Sequence, residues 1–224
     1  QVFKDRSFWV PGIGSSSTTP VFVVGMMRSG STLVESVLAS HSEVYGIGED
    51  SVFNGNLPAI RDGVVKAISS GRMEILQAEV VALAKGVEDA MYSKLPAAER
   101  PGVKFIVDKM LFNFRNIGFI HVLFPRAKII HTVRGFWDLL HSNYKYKFED
   151  TGLEWSFSVP DLVHFFACYR RGMRHWEKVL PGRVLTVQYE DLVTFPRPTM
   201  ARMLAHLGVP WEDGVVDFHE TARV

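Results

Sequence analysis

The segment that most constrains this chain is a wholly apolar run, Val21-Phe-Val-Val-Gly25, that passes directly into Gly25-Met-Met-Arg-Ser-Gly-Ser-Thr32 and then into a helical stripe of Leu33, Val37 and Leu38. A strand with no polar side is one that is covered on both faces, as in a parallel sheet. A tight glycine turn that feeds a helix from such a strand is the start of a β-α-β unit. The rest of the chain repeats the alternation. Lys104–Val107, Lys128–Val133 and Val184–Val187 read as further strands, and helical periodicity returns between them. It recurs over 63–95 with a break near Ser69-Ser-Gly71, over Asn113–Leu123, Phe136–Lys147, from Pro160 to Leu180, and Pro198–Leu207. The expected fold is α/β, a P-loop-like parallel β-sheet with helices on both faces. With 224 residues, of which 47% are hydrophobic, one domain spanning 1–224 is expected, with 1–19 as a leader loop.

The spacing of the first turn matches the phosphate-binding pattern G-x-x-x-x-G-K-[ST] at every defined position but one, Ser31 standing where the lysine would be. Gly25 and Gly30 let the backbone turn tightly. The amides of Ser29, Gly30, Ser31 and Thr32 are expected to point outward at the start of a helix, where the helix dipole favours an anion. Arg28 supplies one cation inside the loop. An enzyme that handles a nucleoside triphosphate needs the lysine and a metal to balance more charge, and no Walker-B-like aspartate follows a later strand. Three readings fit the segment itself: a structural strand-helix turn, a degenerate kinase-like loop, and a site for an anion carrying less charge than a triphosphate.

Read further, Val24-Gly-Met-Met-Arg-Ser-Gly-Ser-Thr-Leu33, His41-Ser-Glu-Val44 and Gly48-Glu49 resemble the 5′-phosphosulfate loop of the sulfotransferases, nearest to the tyrosylprotein sulfotransferases and to those that carry tetratricopeptide repeats. Lys128-Ile-Ile-His-Thr-Val-Arg134, with Ser142 eight positions on, resembles that family's 3′-phosphate site. An arginine at the carboxyl edge of a strand and a serine two helical turns later can reach one phosphate. An isolated Arg134 would also suit a surface ion pair. The family often has a further basic residue a turn on, where this chain has Tyr146 between Lys145 and Lys147. Asp108-Lys109-Met-Leu-Phe-Asn-Phe114 resembles the D-K-x-x-x-N-F segment. Tyr189-Glu-Asp-Leu-Val193 resembles the Y-E-D-L-V block, whose tyrosine lies near the nucleotide in the family. The resemblance runs from about Pro20 to Arg223 and implies a sulfotransferase that uses 3′-phosphoadenosine 5′-phosphosulfate (PAPS). The family continues past this point with a basic, serine-containing segment that the chain, ending at Val224, does not carry.

The resemblance assigns Glu49 as the base for the acceptor hydroxyl, a role its place in a Gly-Ile-Gly loop after the first β-α unit also suits if the carboxylate is partly buried. Lys109 and Arg28 would stabilise the oxygen that leaves with the 5′-phosphate. His41 is the rival base, expected to pack or cap the end of the first helix. Trp137, Trp155 and Trp176 are expected in the core or at a rim. The acceptor is an open choice among a peptide tyrosine, a glycan and a small alcohol or phenol. The alternatives are a kinase-like nucleotide-binding enzyme and a non-catalytic nucleotide-binding module. A net charge of +1 argues against a general nucleic-acid partner. The histidines lack metal-ligand spacing, and the lone Cys168 allows neither an internal disulfide nor a cysteine metal site. No apolar run approaches the roughly 20 residues that span a bilayer. No targeting segment is visible, Gln1 suits an excised or processed form, and cytoplasm or Golgi lumen both fit.

Overall fold

The computed structural model describes residue 3 and residues 13–50, 52–69, 73–146, 148 and 152–219, except for the side chains of 67–69 and 73–76. Most of the proposed leader, residues 1, 2 and 4–12, lies outside the described residues, as does 220–224.

Strand β1 (Pro20–Gly25) leads through the glycine turn into α1 (Ser31–Ala39), then β2 (Val44–Gly46), α2 (Val52–Ser69) and α3 (Met73–Ser93). Next come β3 (Phe105–Asp108), a 3-10 turn (Leu111–Arg115), α4 (Ile117–Leu123), β4 (Lys128–Val133) and α5 (Phe136–Lys145). The chain continues through α6 (Val159–Val179), β5 (Val184–Gln188), α7 (Tyr189–Thr194) and α8 (Pro196–Leu207). The five strands are all parallel, in the order β2-β3-β1-β4-β5. This is the expected class. β1 is central because β3 and β4 pair on its two sides: Pro20–Phe22 against Ile106–Asp108, and Val21–Gly25 against Lys128–Thr132.

Alternation along β1 splits the core. Val21 and Val23 pack with Val34, Val37 and Leu38 of α1 and with Met203, Leu204 and Leu207 of α8. Phe22 and Val24 face the other layer, where Phe53, Ile60 and Val64 of α2, Val80, Ala84 and Val87 of α3, Ile120 of α4 and Trp176 of α6 meet. All six β1 residues are buried, which is why the run has no polar position. Connections to the left of β1 return by the β3–β4 crossover to its right, and the carboxyl ends of β1 and β4 therefore flank a topological switch point where ligands of open α/β sheets sit.

Three features depart from the sequence reading. β2 is a strand of only three residues and shows no run. α2 begins at Val52, although Gly55, Gly63 and an internal Pro58 dilute its helical signal. The expected helix over Asn113–Leu123 is a 3-10 turn followed by α4, divided at Asn116. The right-hand edge is not bare: the Arg202 guanidinium of α8 donates to Thr186 O of β5 at 3.3 Å, which occupies one of the edge acceptors.

Candidate active site

The glycine turn closes tightly because its first glycine lies against β4. A Cβ on Gly25 would sit 2.5 Å from Thr132 Oγ1 and 2.7 Å from Thr132 O. Ser29 Oγ donates to Met26 O at 2.6 Å, so Thr132 Oγ1 is the donor in its own 2.6 Å contact with Ser29 Oγ. Both residues are buried. The Ser29 amide also donates to Met26 O, at 3.3 Å. Ser29 therefore fastens the turn instead of presenting its amide outward, a correction to the expected set of free amides. The cause is the tightness of the 26–29 turn itself. Gly30, with φ 93, ends the turn, and α1 starts with neither a side-chain cap nor an acidic residue. The amides of Ser31, Thr32 and Leu33 thus leave the helix without intrahelical partners.

Other elements hold the same turn from outside. Asn143 of α5 is fully buried and its Nδ2 donates to Met27 O at 2.9 Å and to Leu139 O at 2.8 Å. Tyr169 of α6 takes the Met26 amide on its hydroxyl and gives its own proton to His131 Nε2. Burial lowers His131 to about 4, so its ring is neutral and able to accept that proton. Neither Asn143 nor Thr132 stands out in the sequence except as a polar residue on an otherwise apolar face.

Arg28 has φ 66 and is the one non-glycine residue with positive φ among those described. Its Nε donates to Ser142 Oγ at 3.1 Å, and its guanidinium lies 5.1 Å from the Tyr146 ring centroid. Arg134, at the end of β4, donates from Nη1 to Arg28 O at 3.4 Å and lies 4.7 Å from the Tyr189 ring centroid. Its Nε is buried and has no partner. The Tyr189 ring in turn packs on Gly30, where a Cβ would come within 2.4 Å of Cδ2. Glu190 accepts the Gly135 amide at 2.9 Å, just beyond Arg134. Burial works to raise the Glu190 carboxyl, but the Gly135 amide, the Gln188 side chain and the charge of Arg134 outweigh it and hold it below its ordinary range.

Met27, Arg28, Gly30, Ser31, Thr32, Glu49, Arg134 and Tyr189 line one cleft of about 710 Å³ with Leu111, Tyr146 and Phe148. Ser29, Ser142 and Lys109 do not line it. Ser142 reaches it through Arg28, and Lys109 through Glu49. Lys109 Nζ donates to Glu49 Oε1 at 2.7 Å, and the lysine side chain is only 7% exposed whereas that of Glu49 is 59% exposed. The partial burial expected of Glu49 belongs to Lys109 instead, because the loop that carries Glu49 lies at the rim. Asp50 points elsewhere and pairs with Lys94 at 2.7 Å.

His41 is buried, takes the Glu43 amide on Nδ1 at 3.1 Å and donates from Nε2 to Pro210 O at 3.0 Å. With both nitrogens committed and no face in the cleft, it packs as the sequence suggests. Trp176 is in the core, donating to Phe114 O at 2.7 Å, and Trp155 stacks on Phe165 at 4.0 Å. Trp137 is 76% exposed. Among the described residues no group of three histidine, cysteine or acidic side chains is placed to hold a metal, and no helix is long and apolar enough to cross a membrane.

Beneath Lys109, Asp108 is fully buried; its Oδ1 accepts the Met110 amide at 2.8 Å while Oδ2 has no partner. Burial, against the pull of the Met110 amide and with the charges of Asp50 and Glu35 adding to it, raises this carboxyl from 3.8 to about 7. A folded value above the unfolded one means that this group's stabilisation is complete below the unfolded value and is lost as pH rises toward the folded one. Asp108→Asn titrates at neither. The variant's unfolding free energy relative to the parent is expected to rise by about 3 kcal/mol from pH 4 to pH 8. Denaturant melts across that range check it, and a flat difference would refute the buried proton.

A family profile described as "Sulfotransferase family" matches residues 20–213. The chain is 26% identical over 214 residues to protein-tyrosine sulfotransferase 2 of Gallus gallus, covering 89% of this chain and 54% of that protein. It is 33% identical over 223 residues to an uncharacterized protein of Aquifex aeolicus (strain VF5), covering 95% of this chain but 28% of that one. The chain thus spans about half the length, or less, of these relatives. Among solved structures it resembles the sulfotransferase domain of the Synechococcus PCC 7002 olefin synthase, with a TM-score of 0.61 and 20% identity over 93% of this chain and 80% of that one. A sulfotransferase from Mycobacterium tuberculosis H37Rv gives a TM-score of 0.57 at 14% identity, over 92% of this chain and 72% of that one.

Proposed function

The chain belongs to the sulfotransferase family, and we propose that it is a catalytic domain that moves a sulfuryl group from PAPS to an acceptor hydroxyl. The observation that carries this reading is the single cleft shared by the uncapped start of α1, Arg28, Arg134 and Glu49. It offers amides and a guanidinium at one end, a second guanidinium at the next strand, and a carboxylate at the rim. A nucleotide with phosphate at both its 3′ and 5′ positions matches that distribution of positive charge. Ser31 in the lysine position of the loop suits a donor with less charge at the 5′ end than a triphosphate.

In this reading the amides of Ser31 and Thr32, with Gly30 keeping the backbone close, bind the sulfated 5′ end. Arg134 binds the 3′-phosphate, Ser142 supports that site through its bond with Arg28, and Tyr189 flanks the adenosine. Glu49 takes the proton of the acceptor hydroxyl. The new S–O bond forms as the bond from sulfur to the 5′-phosphate oxygen breaks, and adenosine 3′,5′-bisphosphate departs. Lys109 and Arg28 neutralise the charge that builds on that oxygen. Arg134 lines the cleft and leaves its Nε without a partner, which suits a guanidinium that takes an anion there. A protein tyrosine is the first acceptor to try, because the Gallus gallus relative bears the name protein-tyrosine sulfotransferase 2, with glycans and small phenols next.

The test is label transfer from PAPS into peptides, glycans and phenols, with binding of adenosine 3′,5′-bisphosphate compared with adenosine 5′-monophosphate and ATP-Mg. Transfer, and tighter binding of the bisphosphate than of either competitor, are expected. Arg134→Ala should lose about 10–100-fold in bisphosphate affinity, equal to about 1.5–3 kcal/mol for hydrogen bonds to a charged group, and much less for the 5′-monophosphate. A preference for ATP-Mg that ignores the 3′-phosphate would overturn the reading in favour of a kinase-like enzyme. Binding without transfer to any acceptor would favour a non-catalytic module.

A further inference from the structure

We propose that Glu35 is a positioning residue for the transfer step, holding Lys109 and the loop of Glu49 in one arrangement; this rests on the sulfuryl-transfer reading above. Glu35 lies on α1, the same helix whose start faces the cleft, and its side chain is 13% exposed. Its Oε1 accepts the Gly48 amide at 2.7 Å, and its Oε2 lies 3.6 Å from Lys109 Nζ. The Gly48 peptide is gripped from the other side as well, because the Lys109 amide donates to Gly48 O at 3.0 Å. Gly48 itself has φ 68, a conformation that glycine takes at no steric cost. A Cβ on Gly46 would meet Glu35 Oε1 at 3.1 Å, so the carboxylate lies closely across the end of β2.

The arrangement is one ammonium between two carboxylates of unlike surroundings. Glu49 is at the rim and Glu35 is inside. Were Lys109 paired with Glu49 alone, the base and the cation would each be the other's only counter-charge. Moving the ammonium toward a leaving oxygen would then uncouple both. Glu35 supplies a counter-charge that stays with the protein, so Lys109 can be shared and Glu49 can turn to a hydroxyl without leaving a bare buried cation. The charged groups around Glu35 are Lys109, Glu49 and, behind the strand ends, Asp108. Burial raises the Glu35 carboxyl, against the pull of Lys109 and the Gly48 amide. As pH falls, Glu35 gains a proton and Lys109 loses this partner, so Glu35 contributes to the acid side of the activity profile.

Glu35→Gln keeps an oxygen for the Gly48 amide and removes only the charge; Glu35→Asp keeps the charge on a shorter arm. With the full chain, PAPS and an acceptor that the parent turns over, Glu35→Gln is expected to lower kcat by about 10–100-fold. KM for PAPS should stay within about twofold, since an interaction realised only in the transition state leaves ground-state binding alone. The acid limb should lose the part that Glu35 contributes, and Glu35→Asp should recover part of kcat. A Glu35→Gln enzyme with the parent's kcat and acid limb would overturn the proposal. So would a variant whose kcat falls only in step with melting temperature and PAPS affinity, with no recovery in Glu35→Asp, since that is a purely structural role. A parent chain that neither transfers sulfate nor prefers the 3′,5′-bisphosphate would bring down the underlying reading, and this is seen before any variant is compared.

Discussion

Glu49→Gln is expected to lower kcat by about 10²–10⁴-fold, the usual worth of a general base. Glutamine keeps the size of the side chain and can still accept from Lys109 Nζ, which now lies 2.7 Å from Glu49 Oε1. What it cannot do is take a proton. Because Glu49 lies at the rim and forms no part of the core, the fold should be indifferent to the change. Affinity for adenosine 3′,5′-bisphosphate should therefore hold within about twofold, and kcat and kcat/KM should fall together, as for an interaction made only in the transition state. Steady-state transfer and a nucleotide titration on the same preparation measure both. A variant that retains full turnover would remove Glu49 from the mechanism and move attention to another carboxylate near Lys109.

Gly25→Ala is expected to damage stability and donor binding together. The glycine at the end of β1 is paired in register with Thr132 of β4. The added methyl would lie 2.5 Å from Thr132 Oγ1, 2.7 Å from Thr132 O and 3.1 Å from Ser29 Oγ. The threonine hydroxyl could rotate at the expense of its bond to Ser29, but a carbonyl oxygen in the middle of a parallel sheet cannot. Overpacking of this kind costs about 1–3 kcal/mol or more. At about 2–4 °C per kcal/mol for a chain of this size, the melting temperature should drop by about 2–12 °C. The strain falls on the 26–29 turn, so nucleotide affinity should fall as well. Thermal melts with and without adenosine 3′,5′-bisphosphate check this, and an unchanged melting temperature would show that the close approach of β1 and β4 is not needed.

Those two positions differ in how well the sequence announces them. Gly25 and Gly30 declare themselves through a fixed spacing, and the strands through apolar runs, because a central parallel strand has no solvent side on which to place a polar residue. The parallel sheet and its helices were legible on those grounds, and Arg28 by its place in the loop; Arg134, Tyr189 and Glu49, which line the same cleft, were singled out chiefly through the family resemblance. β2 was not, since three residues cannot establish a period and Tyr45 is as much at home in a helix. The start of α2 was hidden by Gly55 and Pro58, which signal loops unless neighbouring helices supply the packing. Glu35 and Asn143 were unreadable for another reason. Each sits in a helix at an unremarkable position, and its meaning comes from a partner more than ten residues away in the chain: Gly48 for one, Met27 for the other. Ser29 erred in the opposite direction: its place in the motif suggested a ligand, but the turn is so tight that its polar groups are spent internally.

The backbone at Arg28 has a cost. An arginine held at φ 66 sacrifices about 1–2 kcal/mol that a glycine would keep. The bond to Ser142 and the contact with Tyr146 offset part of that sacrifice, and in the proposed reaction the charge of the guanidinium accounts for the rest. In the proposed reading, Arg28→Gly would ease the backbone and forfeit the cation at the donor site.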